Sequence, residues 1–166
     1  MIRVAILLCL ALPVQAQTVD PVPYRAQLDA CLVGPKASPE DHRACIGQVS
    51  ATCMEVTGSS TAEMSDCIGM EIGLWDDLLN AEWPRHRRAA QASDTAMRAA
   101  GSTAFTDADD LLLTAQRAWI VFRDADCAAA GARFTNGTMA ILVRGSCRLD
   151  HTANRVLDLR AQWEAY

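Results

Sequence analysis

Gln116-Arg117-Ala118-Trp119-Ile120-Val121-Phe122-Arg123-Asp124-Ala125-Asp126-Cys127 is the stretch from which the fold is read. It lies in a run with no Pro or Gly from about Thr106 to Ala130, with apolar residues at helical spacing, so it predicts a helix. Leu112, Gln116, Trp119, Arg123, Cys127 and Ala130 share one stripe of that helix. Leu111, Ala115, Ala118, Phe122, Ala125 and Ala129 form a second, wholly apolar stripe beside it. If Cys127 bonds a cysteine on another helix, its stripe faces that helix. Gln116 and Arg123 then lie at an interface, where polar groups need partners. A polar network holding helices in register is the expected role, ahead of direct contact with a ligand.

Working outward, the same reading extends to both ends of the chain. Thr106 and the acidic trio Asp107, Asp109 and Asp110 read as the cap and first turn of this helix, where its dipole favours negative charge. Arg133-Phe134-Thr135-Asn136-Gly137 reads as a connection, and Thr138 to Trp163 as a last helix. Gly145 inside it allows a close approach next to Cys147. Upstream, Ile68, Ile72, Trp75, Leu79 and Trp83 recur at helical spacing in a long helix that starts near Thr61. Pro84 is expected to kink that helix without stopping it, and Gly101-Ser102 to end it. The basic cluster Arg85-His86-Arg87-Arg88 reads as a solvated face, with an anionic-glycan site as the sharper alternative. A short helix is expected over Tyr24 to Leu32, broken by Gly34-Pro35.

Residues 1–16 have the form of a secretory leader. Arg3 supplies its charge, Val4 to Val14 its apolar core and Val14-Gln15-Ala16 a small-residue cleavage site. The apolar run is too short to span a bilayer. Residues 17–166 then form a single domain, with 17–52 as an N-terminal extension. Removing Arg3 takes the formal charge from −5 to −6. An acidic surface argues against nucleic acid and anionic lipid, and suits a cationic partner.

Apart from Cys9 in the leader, the cysteines are Cys31, Cys45, Cys53, Cys67, Cys127 and Cys147. An even set in an exported chain reads as disulfides. No close Cys pair or His cluster suggests a metal, and no cofactor is expected. Cys31 and Cys45 are spaced like Cys53 and Cys67, each second cysteine is followed by Ile-Gly, and each unit carries a capping Ser: Ser38 before Pro39, and Ser60 before Glu63. Cys45 and Cys53 are expected on one helix, about Pro39 to Val56. Their separation is then roughly 12 Å, too far for a disulfide. Local pairs Cys31–Cys45 and Cys53–Cys67 follow, with Cys127–Cys147 by elimination. A crossed pairing among the first four stays open.

A larger pattern now stands out. Cys53 and Cys67 precede Asp76-x-x-Leu79-Asn80-x-x-Trp83. Then come Gln116-x-x-Trp119-x-x-x-Arg123-x-x-x-Cys127, a Gly-containing connection, Cys147, Thr152 and Arg155. This resembles the LprI-type domain, a family of small exported bacterial proteins described as lysozyme inhibitors. The resemblance covers about Cys53 to Leu159, and Trp83 stands where the family usually has Tyr. Pro84 and the Cys31–Cys45 unit depart from the family pattern. The resemblance implies an all-α, disulfide-stapled bundle and a muramidase-inhibiting function. No Ser-Gly-x-x-Tyr loop of the kind other periplasmic lysozyme inhibitors insert into the catalytic cleft is present.

The expected function is therefore an exported or periplasmic binding protein, directed at a cationic muramidase. Ser59 and Ser60 in one loop, and Arg133 and Asn136 in another, are the partner-binding candidates. Arg133 is the side chain expected to meet the carboxylates of a muramidase cleft. The alternative is a periplasmic adaptor that binds another protein or a glycan. No nucleophile motif points to an enzyme.

The structural network is expected to include Asp76, Asn80, Gln116, Trp119, Arg123, Asp150 and Arg155. A Cys127–Cys147 bond across antiparallel helices sets Arg123 opposite His151 beside Asp150, Trp119 opposite Arg155, and Gln116 opposite Asp158. Arg123 is then expected to pair with Asp150, or with Asp76.

Overall fold

The computed structural model describes residues 19–33, 42–102, 107–135 and 137–163. The leader, Gly34-Pro35, Ser38-Pro39, Thr106 and Asn136 lie outside the described residues. The described residues form five helices and no strand: α1 (Val22–Val33), α2 (Gln48–Thr57), α3 (Thr61–Ala99), α4 (Ala108–Ala132) and α5 (Thr138–Trp163).

α3 is the spine. Ser60 starts it with both halves of a capping box: the Glu63 amide donates to Ser60 Oγ, and the Ser60 amide donates to Glu63 Oε2. The helix runs through Pro84 to Ala99. Leu74, Trp75, Leu79 and Ala90 on its inner face join Leu28, Val49, Leu112, Leu149, Val156 and Leu159 in one apolar core. Burying such side chains stabilises by about 1.5–3 kcal/mol each relative to leaving them exposed.

α5 lies along the spine in the same direction. Near its start a Cβ at Gly145 would stand 3.0 Å from Ile68 of α3. Near its end Arg160 forks onto Glu82 of α3, with Nε donating at 2.9 Å. The offset in residue number hardly changes between those contacts, so the helices are parallel. The expected close approach at Gly145 is there. α4 runs antiparallel to both, bonded to α5 through Cys127–Cys147. α2 packs antiparallel on the first half of α3 through Cys53–Cys67.

Cys45 and Cys53 do not share a helix. Residues 44–47 are a turn in which Gly47 takes φ 84°, and α2 starts afresh at Gln48. A left-handed backbone costs glycine little. The new helix end is held from outside, because Glu71 of α3 accepts from the Gly47 amide at 2.8 Å and the Ser50 amide at 2.7 Å. Cys31–Cys45 nevertheless forms, as do the other two local pairs. The pairing follows the spacing even though the single-helix premise does not hold.

The basic cluster is not one solvated face. His86 is 1% exposed and lies 3.7 Å from Glu82. Arg87 grips Asp109 of α4, its Nε donating at 2.6 Å. The acidic trio divides its work as well. Asp107 is the cap, accepting from the Asp110 amide, while Asp109 is the ion-pair partner of Arg87. A second cap reaches across from α3, where Asp94 accepts from the amides of Ala108 and Asp109 at 2.8 and 3.1 Å.

Candidate functional site

The residues nominated from the sequence fall into two places. The first is the seam between α4 and α5. Leu112, Arg123 and Cys127 are buried there, so the mixed stripe faces inward. Arg155 of α5 donates through Nε to Gln116 Oε1 at 2.8 Å. Both guanidinium groups lie over the Trp119 ring, Arg123 at 4.9 Å and Arg155 at 5.8 Å from its centroid. Burial lowers the pKa of Arg155, and the charge of Asp158 opposes that. Gln116, Trp119, Arg123 and Arg155 thus form one cluster.

The expected partners of Arg123 are not the observed ones. Its Nε donates to Asp124 Oδ1 at 2.9 Å, on its own helix. Asp76 instead accepts from Asn80 one turn along α3, and Asp150 accepts through its backbone oxygen from Asn154. His151 meets Asp126 at 3.0 Å rather than Arg123. Asp158 takes Arg43 at 2.9 Å, tying the Cys45 turn to the last helix. A simple facing rule places Trp119 by Arg155 but misses these, because long side chains reach along a helix as readily as across to the next one.

The second place is one end of the bundle. Because α3 and α5 run parallel in register, Thr61 and Thr138 are level with each other. The loop before α3 and the loop before α5 therefore lie at the same end. Ser59 and Val56 are exposed in or beside the first, and Arg133, Phe134 and Thr135 in the second, with Met139 just beyond. Ser60 is engaged in its helix cap. Thr135 takes φ 44°, a left-handed backbone uncommon for a β-branched residue. Sequence reading placed Val56 in the first loop but missed Met139, since a single apolar residue near a helix end carries no pattern.

Asp126, His151, Cys127 and Cys147 bring their ligating atoms within 4.8 Å of one another. With the sulfurs joined, a carboxylate and an imidazole remain, short of the four ligands of a structural zinc site.

Comparison with known proteins bears on both places. A family model described as "Lysozyme inhibitor LprI" matches residues 53–159, which contain the seam and both loops. A protein of Rhizobium meliloti (strain 1021), described as uncharacterized protein R02472, is 28% identical over 106 residues. That alignment covers 64% of this chain and 76% of the relative. No solved structure matches.

Proposed function

The chain belongs to the LprI family, and from that premise we propose that it is an exported binding protein that inhibits lysozyme-type muramidases through the loop end of its bundle. The leader at residues 1–16 would carry it out of the cytoplasm. Three disulfides support a location outside the cytoplasm. Among the described residues no helix is long and apolar enough to cross a membrane.

The convergence of the two loops carries the site assignment. Arg, Phe and Met are residue types enriched where partners bury surface, and Arg133, Phe134 and Met139 are all exposed at that end. A retaining or inverting muramidase presents two carboxylates across its cleft. The Arg133 guanidinium is a suitable counter-charge, and Ser59 and Asn136 are the further residues proposed to meet the partner. The acidic remainder of the molecule steers a cationic enzyme towards it.

The test is a cell-wall lysis assay in which the purified protein is titrated against several classes of lysozyme. Inhibition should weaken as ionic strength rises through about 0.15 M, where charges are screened within about 8 Å. Arg133→Ala should reduce affinity about tenfold or more, the weight of a central interface Arg, without lowering the melting temperature. Absence of inhibition at micromolar excess and low salt, across all classes, would leave the adaptor reading in its place.

A further inference from the structure

Among the described residues the outer face of α4 is largely uncovered, although Phe122 sets one edge of its ring against His151 of α5, 5.5 Å between centroids. Leu111, Ala115, Ala118, Phe122, Ala125 and Ala129 are all exposed, as are Thr114, Val121, Ala128 and Ala132 beside them. Leu111 keeps 55% of its surface in solvent, Val121 71% and Phe122 57%. Arg117, Asp124 and Asp126 lie on the margins of this strip, and no charge falls within it. A contiguous apolar face of this kind marks a contact surface. The spacing alternates between four residues and three, which is the seam of a coiled coil.

We propose that this face pairs with itself, two copies of the chain associating antiparallel about a two-fold axis at the level of residue 120. In that register Leu111 of one copy meets Ala129 of the other, Ala118 meets Phe122, and Ala115 meets Ala125. Both large residues of the seam, Leu111 and Phe122, are set against a methyl group. The symmetry repeats each match on the other side of the axis, as an isologous interface requires. A parallel pairing would instead set Phe122 against Phe122 and Ala118 against Ala118, leaving gaps beside each collision. Charge agrees with the antiparallel choice. Asp110 in the first turn of one α4, and Asp107 at its cap where it also meets Arg98, come to the end of the other, where Arg133 is exposed. The helix dipoles also meet with opposite signs.

From Leu111 to Ala129 the strip is roughly 27 Å long at the helical rise. One helix pair of that length buries less than the standard interface of about 800 Å² per partner, so association in the micromolar range is expected. Arg133 belongs to both this interface and the proposed muramidase contact, so the monomer is the species free to inhibit. Self-association itself does not depend on the muramidase reading, and its test contains no muramidase.

Sedimentation equilibrium of the disulfide-intact protein, from low micromolar to near millimolar concentration, should show reversible dimerisation. Phe122→Ala and Ala118→Phe should each weaken it about tenfold or more, the first by leaving a hole and the second by setting two rings in collision. The double variant should restore it, because the exchange returns one ring and one methyl to each contact. Circular dichroism should show all three variants folded, since both positions are exposed. A monomer across the whole range overturns the proposal. So does a dimer indifferent to the single changes, or a double variant weaker than either of them.

Discussion

Glu71 has no exposed surface, yet its carboxylate accepts from the Gly47 and Ser50 amides and from Trp75 Nε1 at 3.2 Å. Removing it strands two buried donors and a half-buried one at once. Each stranded donor costs about 1–3 kcal/mol, so Glu71→Ala should destabilise by roughly 3–5 kcal/mol in denaturant titration; a loss below about 1 kcal/mol would contradict the capping role. Nothing at position 71 announces this in the sequence. The residue sits among Ile68, Ile72 and Trp75, and its task is to cap a helix whose start at Gly47 the linear reading did not place. Arg123 was legible in part. Its stripe and its nearness to Trp119 follow from helical spacing, but its partner Asp124 is a sequence neighbour, which no facing rule selects. Arg123→Ala loses one charged hydrogen bond and one cation–ring contact, so about 2 kcal/mol should go. That is roughly 4–8 °C in melting temperature for a chain of this size. A variant as stable as wild type would mean that the pair with Asp124 is only a surface contact.

The helices themselves were the most legible level. A 3.6-residue period, a capping box at Ser60 and a closing Gly101 delimit α3 almost to the residue. The inward and outward sides of α4 follow once Cys127 is known to bond Cys147. That the outward side is left largely exposed among the described residues is a property of the packed molecule, since a stripe in the sequence does not say what faces it. The corner between α3 and α4 is likewise tertiary. Burial raises the Asp94 carboxyl, but the Ala108 and Asp109 amides, Asp107 and Arg98 outweigh it and hold it below its ordinary value. Hydrogen bonds from Arg87, then Gln91, hold Asp109 down against burial. Both groups therefore bind protons more weakly folded than unfolded. Their stabilisation is fully present above the ordinary carboxyl value of about 3.9 and is lost as pH falls through their lower folded values. Melting temperature should fall on acidification below about pH 4, and Asp94→Asn with Asp109→Asn should flatten that acid limb while lowering stability at neutral pH. An unchanged acid limb in the double variant would place the acid sensitivity elsewhere.

Taken whole, the molecule is a spine helix with its neighbours stapled on in short steps, at sequence separations of 14, 14 and 20. Thiol titration of denatured, unreduced protein prepared without residues 1–16 should find close to zero reactive groups; two or more would refute full pairing. Opening Cys127–Cys147 by serine replacement should cost about 3 kcal/mol on the chain-entropy model, read as a lower denaturation midpoint. The order of the pairs has a further consequence, for biogenesis. After Cys9, the cysteines pair off consecutively, Cys31 with Cys45, Cys53 with Cys67 and Cys127 with Cys147. A polypeptide delivered N-terminus first presents Cys45 to Cys31 before Cys53 emerges, and completes each couple before the following one arrives. Oxidation in order of arrival is already the native set, so an oxidant is needed and an isomerase is not.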